Sequence, residues 1–258
     1  MRTQTIGTLA GAVLALAAGS AQAASVAVVN AGFEDLYGGI DVPETAFPAG
    51  NNGAAAPNGW SAFGAVGGDA YIGVLNPGTV FFVSGASEGD NVALLYFDNN
   101  VGGAEFGIEQ TLTTTLTAAT TYTLQVDIGN IRTGTAQVAP WDGLGEYDLD
   151  GFPGYRVELR AGNEVLASDL NTLLPGEGEF LTTTLQVTIG AGHAALGDNL
   201  VIRLVNLNLS TGATATTRGL EVDFDDVRLD ASPVPLPSAA WLLLPPVLLL
   251  ARPRRRVG

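Results

Sequence analysis

Cysteine and lysine are both absent from the 258 residues, and histidine and methionine occur once each. Without cysteine there is no disulfide, no thiol nucleophile and no thiolate metal site. Without lysine, six arginines face all 26 acidic residues between Glu34 and Asp230, a charge of −20 over that stretch against −15 for the whole chain. Such a surface repels nucleic acid and anionic lipid and argues against both as partners of the exported part. His193, in "GAGHAALGD", reads as a loop residue rather than half of a serine–histidine dyad. There is also no P-loop, no zinc motif, no internal repeat and no sustained helical apolar period.

What is present begins with two unusual ends. Met1–Ala23 has Arg2, an apolar stretch from Ile6 to Ala18 and a closing Ala21-Gln22-Ala23, the order of a cleaved secretory signal. The C-terminal apolar run Ser238–Ala251 has 14 residues with Pro245 and Pro246 inside it, where roughly 20 unbroken ones span a bilayer. It follows Val234-Pro235-Leu236-Pro237 and precedes Arg252, Arg254, Arg255 and Arg256. Positive charge stays on the cytoplasmic side of a membrane.

This tripartite tail, from Val234 to Arg256, resembles the PEP-CTERM sorting signal in its VPLPA-type variant, with Ser238 where that variant has alanine. The resemblance implies a transient exosortase partner, residence at the inner membrane before processing, and delivery to the cell surface or extracellular matrix of an exopolysaccharide-making bacterium. The expected organisation is a signal peptide over 1–23, an ectodomain over 24–232 and a sorting signal with a short hydrophobic helix over 233–258.

The ectodomain reads as β throughout. Tyr122, Leu124, Val126 and Ile128 alternate with Thr123, Gln125 and Asp127, as do Tyr155, Val157 and Leu159 with Arg156, Glu158 and Arg160. Period two marks half-buried antiparallel strands. Further strands are expected near 25–29, 60–63, 79–83, 92–97, 107–112, 164–168, 180–189, 200–206 and 220–229, with a hairpin turn at Gly162-Asn163 and long loops over 38–59 and 132–154. About ten strands predict an all-β antiparallel sandwich of jelly-roll type. In "EVDFDDVRL" the apolar pairs Val222/Phe224 and Val227/Leu229 have opposite parity. Both face inward only across a bulge at Asp225-Asp226.

The stretches "NAGFE" (30–34), "GWS" (59–61), "IEQTL" (108–112), "TTYTLQVDIGN" (120–130) and "VDFDDVRL" (222–229) resemble the galactose-binding-like jelly rolls of carbohydrate-binding modules. The resemblance implies a structural calcium ion held by Glu34 and Asp225 or Asp226, with carbonyls from a loop such as 87–90. The alternative is a solvated acidic edge. In "WDGLGEYDLDGFPGY" (141–155), Glu146, Asp148, Asp150 and Gly151 match half of an EF-hand loop, but Val157 stands at its twelfth position. The same stretch offers Trp141, Asp142, Tyr147 and Phe152 as a sugar-binding platform. The alternative is that these rings pin the loop to the sandwich. Trp60 reads as packing. No acidic pair stands out at a glycosidase spacing. The expectation is therefore a non-catalytic, exported carbohydrate-binding sandwich, possible partners including exopolysaccharide. Its rivals are a structural matrix component without ligand and, less favoured, a glycan-active hydrolase.

Overall fold

Alternating strands need two faces to bury, and the chain supplies them as two antiparallel sheets. The computed structural model describes residues 22–35, 56–64, 70–97, 104–137, 143, 145–209 and 220–234. The signal-peptide residues up to 21 lie outside this set, as do Trp141, Asp142, Pro235, Leu236, Pro237, Arg254, Arg255 and Arg256. The first sheet runs in the order β11 (Glu179–Ile189), β6 (Thr120–Asn130), β13 (Leu220–Pro233), β4 (Val92–Phe97), β3 (Ala70–Leu75), and β1 (Ala24–Val26) pairs with β13. The second is β10 (Glu164–Leu170), β9 (Tyr155–Ala161), β12 (Asn199–Asn206), β5 (Phe106–Thr115), β2 (Ser61–Gly64). A short ribbon pairs β7 (Gly134–Thr135) with β8 (Glu146–Tyr147), and α1 (Gly78–Phe81) is a single turn. The expected jelly-roll sandwich is the fold, and the hairpin at Gly162 joins β9 to β10.

The main core lies between the sheets and includes Leu124, Val126 and Ile128 of β6, Val157 and Leu159 of β9, Ile202 and Leu204 of β12, and Val222 and Phe224 of β13. Each such side chain stabilises the fold by roughly 1.5–3 kcal/mol through burial. The bulge forms where the parity change requires it. The β13–β6 register shifts between Asp225 and Arg228, and Asp226 takes a φ of 46°. Val222, Phe224, Val227 and Leu229 are consequently all buried. Trp60 packs into the core against Phe33, with ring centroids 5.5 Å apart.

The first sheet is covered on its outer face as well. A second apolar cluster comprises Leu75, Phe81, Phe82, Val92, Leu94, Ile131 and Leu149, flanked by Val80, Tyr96, Tyr147 and Phe180. β4 shows why: in "VALLYF", Val92, Ala93, Leu94 and Leu95 are all buried, so both faces are apolar. The stretch 79–83, expected as a strand, instead forms α1 and the turn after it, and carries Phe81 and Phe82 into this outer cluster. β3 was not foreseen. Among the described residues no helix is long and apolar enough to cross a membrane.

Candidate functional site: a buried acid pair under an aromatic cover

Inward Val222 and Phe224 leave Glu221, Asp223 and Asp225 on the outer face of β13, because successive side chains alternate. The second cluster covers that face, so all three carboxyls are buried. Asp223 pairs across the strands with Gly129 of β6 and Leu94 of β4, Glu221 with Tyr96, and Asp225 with Asp127. At Gly129 the missing side chain is filled by rings. A β-carbon there would stand 2.5 Å from Phe180 Cε1 and 2.9 Å from Phe82 Cε1. Those two rings stack with centroids 4.2 Å apart. Asp223 therefore sits beside a phenyl stack on one side and Leu94 on the other.

Among the described residues, no donor other than the opposite carboxyl of the pair reaches either oxygen of Asp223 or Glu221 Oε1. The two carboxyls contact one another, and two carboxyls bond only when one carries a proton. Burial pushes Glu221 up to about 8, and burial with the neighbouring negative charges pushes Asp223 well above the carboxylate range. The pair thus holds a proton at neutral pH. Among the described residues no arginine pairs with either group. A neutral carboxylic acid in a dry aromatic site is a proton donor of the kind that apolar carboxyl pockets create.

Asp225 differs. Its Oδ2 accepts from Glu88 N at 2.7 Å and its Oδ1 from Asp226 N at 2.7 Å, while burial pushes it up to about 7. Glu34 reaches the same loop, its Oε1 accepting from Asp90 N (2.8 Å) and Asn91 N (2.7 Å) and its Oε2 from Asn91 Nδ2 (2.5 Å). Ser87 donates to Asp127. A β-carbon on Gly32 would collide with Glu88 Oε2 and meet Asp225 Oδ1 at 3.8 Å. Glu34 and Asp225 are thus brought to the 87–91 loop, whereas Asp226 turns away to Arg228, Oδ2 to Nη2 3.1 Å. Among the described residues no group of three or more acidic or histidine side chains is arranged to hold a metal ion.

Phe152 is buried in the main core against Tyr155, centroids 6.3 Å apart, and Tyr147 packs half-buried on the outer cluster. The half EF-hand is a hydrogen-bonded turn: Asp150 Oδ1 accepts from Thr133 Oγ1 at 3.0 Å, and Asp148 Oδ1 from Asp150 N at 3.4 Å. His193 meets Glu164, Nε2 to Oε1 3.7 Å.

Glu221 and Asp223 were missed because alternation marks only the face opposite the core. One signal was available: the unbroken apolar run of β4 announces a sheet covered on both sides, so carboxyls beside it must be buried.

The chain matches the family model described as HpiC1-like, HpiC1 cyclase, over residues 24–230. It is 36% identical to an apo-form cyclase from Fischerella sp., covering 82% of this chain and 97% of that one with a TM-score of 0.64. It is 35% identical to the Stig cyclase Fisc from Fischerella sp. TAU in complex with (3Z)-3-(1-methyl-2-pyrrolidinylidene)-3H-indole, covering 82% and 99%, TM-score 0.63. A Fischerella sp. TAU cyclase complexed with 4-(1H-indol-3-yl)butan-2-one is 35% identical over 81% and 98%, TM-score 0.59. No curated protein matches. These matches overturn the expectation of a non-catalytic carbohydrate-binding or structural protein: with an acid in its covered site and the family model matched from the first strand to the last, the chain belongs to the HpiC1-like cyclase family.

Proposed function

We propose that the protein catalyses an acid-promoted cyclisation of an apolar, indole-bearing substrate, with Asp223 as proton donor and Glu221 as the partner that keeps a proton on the pair. The observation that carries this reading is Asp223 itself, fully buried beside the Phe82–Phe180 stack, with Glu221 as its hydrogen-bond partner and no other donor among the described residues. The indole is taken from the ligands of the two Fischerella complexes.

Asp223 donates its proton to a carbon of a substrate π bond and becomes a carboxylate. The cation so formed lies against ring faces, which stabilise it by roughly 0.5–2 kcal/mol each. A second π bond of the substrate attacks that cation and closes a ring. Loss of a proton to the carboxylate restores the acid, so substrate and product are isomers. The apolar cover excludes water, which would otherwise trap the cation as an alcohol.

Asp223→Asn tests the reading, with an indole carrying an alkenyl side chain as substrate. Cyclised product should fall by roughly 10²–10⁴, the range for a general acid, while the fold is retained. Turnover equal to that of the unmodified protein would end the assignment.

A calcium ion belongs to the proposal as a stabiliser without an assigned ligand set. What supports it is that Asp225 and Glu34 are both brought to the 87–91 loop, each accepting from its backbone N–H groups. Export across the inner membrane with later removal of the tail is proposed on the sequence of the two ends. Mass spectrometry of the mature protein should find neither Met1–Ala23 nor Arg254–Arg256.

A further inference from the structure

The cover over the acid pair has little structure of its own. α1 is one turn, and the chain around it contributes Phe81 and Phe82 to the outer cluster. A turn this short cannot satisfy its own C-terminal carbonyls. Arg132, two residues beyond the end of β6, satisfies three in succession. Its Nη2 donates to Thr79 O at 2.7 Å, its Nε to Val80 O at 2.8 Å, and its backbone N–H to Phe81 O at 3.3 Å. The fixed fork of a guanidinium suits such a row of acceptors, and a lysine point charge does not.

The surroundings support the same contact. Gly178, at a φ of 74°, passes so close to Arg132 that a β-carbon there would lie 3.1 Å from its Cδ. Val83 N donates to Gly178 O at 2.9 Å, and Gly178 N to Asn130 O at 2.7 Å. On the other side Gly134 lets Phe81 approach, 2.9 Å separating Phe81 Cε1 from the position of a β-carbon. Arg132 thus links the end of β6, three residues from Gly129, to the turn whose Phe82 lies over Gly129 beside Asp223.

We propose that Arg132 is a positioning residue that clamps the Gly78–Phe82 turn over the acid pair, holding Phe82 in the wall of the site and keeping water out. This rests on the cyclase reading for its consequence and on the hydrogen bonds alone for the clamp. The guanidinium does not touch the acid pair; it acts through the backbone it holds.

The test compares full-length Arg132→Ala and Arg132→Lys with the unmodified protein by amide hydrogen exchange and by calorimetric binding of 4-(1H-indol-3-yl)butan-2-one. In Arg132→Ala, exchange at Phe81, Phe82 and Val83 should quicken at least about tenfold, a local opening, while β6 and β13 keep their protection. The indole ketone should bind about tenfold more weakly, and Arg132→Lys should recover part of both effects. Unchanged exchange at Phe81–Val83, or exchange raised equally through β6 and β13, would overturn the clamp. Local opening without any loss of ketone affinity would overturn its link to the site. Asp223→Asn separates the two claims, since it should leave exchange at Phe81–Val83 unaltered. Failure of the unmodified protein to bind the ketone would count against the functional reading and leave the exchange result to decide the clamp.

Discussion

Both sheets carry rows of carboxyls on their outer faces, and the two rows meet opposite fates. On the second sheet, Glu109 takes Arg203 at 2.7 Å, Glu105 takes Arg156 at 2.6 Å, and Glu158 is approached by Arg156 at 2.9 Å, Arg160 at 2.7 Å and Arg203 at 3.6 Å. Arg203 also lies over the Phe63 ring, 3.9 Å from its centroid. Three glutamates and three arginines there form a closed network. On the first sheet, Glu221 and Asp223 occupy equivalent alternating positions and have no described cation at all. Five of the six arginines in the 24–232 segment fall at 132, 156, 160, 203 and 228, and none of these pairs with Glu221 or Asp223. The same residue type in the same kind of strand is structural where cations answer it. In the proposed reading it is chemical where, among the described residues, no cation answers it and burial favours the protonated form.

The largest effects should come from exchanging these fates. Asp223→Asn removes the acid, with an expected rate loss of roughly 10²–10⁴, and removes one of two buried carboxyls that repel when ionised, so the melting temperature should hold or rise. Glu158→Gln should do the reverse. It leaves three arginines short of a carboxylate and should cost roughly 2–3 kcal/mol, from hydrogen bonds to charged groups, with kcat nearly unchanged. Measuring both quantities for both variants breaks the comparison if either one moves stability and rate together.

A pH series sharpens it further. The folded state holds protons on Glu221 to about 8 and on Asp225 to about 7, whereas the unfolded chain releases them near 4. Between those values the native state binds more protons, so stability falls as pH rises through this range, and Asp223, also raised by burial, extends the loss in the same direction. Activity should decline over the same upper limb, as the pair loses its proton. Glu221→Gln should flatten the stability slope between pH 5 and pH 8, roughly the interval set by these groups. Asp169 works in the opposite sense. Hydrogen bonds from Thr183, Tyr155 and Thr172 hold it below the usual range despite burial, so its contribution is present above about 4 and is lost only in stronger acid.

How much of this was readable depended on how far apart the contributing residues lie. The period-two pattern of β6 and the parity change in β13 are local, and they fixed the strands, the inward faces and the bulge at Asp225-Asp226. The jelly roll followed. The acid pair was not readable, because its cover comes from Phe81 and Phe82 some 140 positions earlier and from Ile131, Leu149 and Phe180. Alternation says which way Asp223 points and nothing about what lies over it. Of the described rings of the 141–155 stretch, Phe152 turns inward against Tyr155 and Tyr147 joins the cover, which is the packing alternative that the sequence also offered.

The smallest expected effect tests the bulge that aligns the acid row. Asp226 sits at a φ of 46°. Asp226→Gly should be neutral or slightly stabilising, and Asp226→Val should cost roughly 1–3 kcal/mol of backbone strain. A valine variant as stable as the glycine one would mean that the bulge relocates without cost.

The central claim is that Glu221 and Asp223 share a proton at neutral pH, and infrared spectroscopy of the protonated carboxyl reads it directly. The spectrum of the unmodified protein at pH 7 minus that of a Glu221→Gln, Asp223→Asn double variant should contain a protonated-carboxyl carbonyl band, because burial raises both groups above the carboxylate range. A difference spectrum at pH 7 containing only ionised carboxylate would contradict the account.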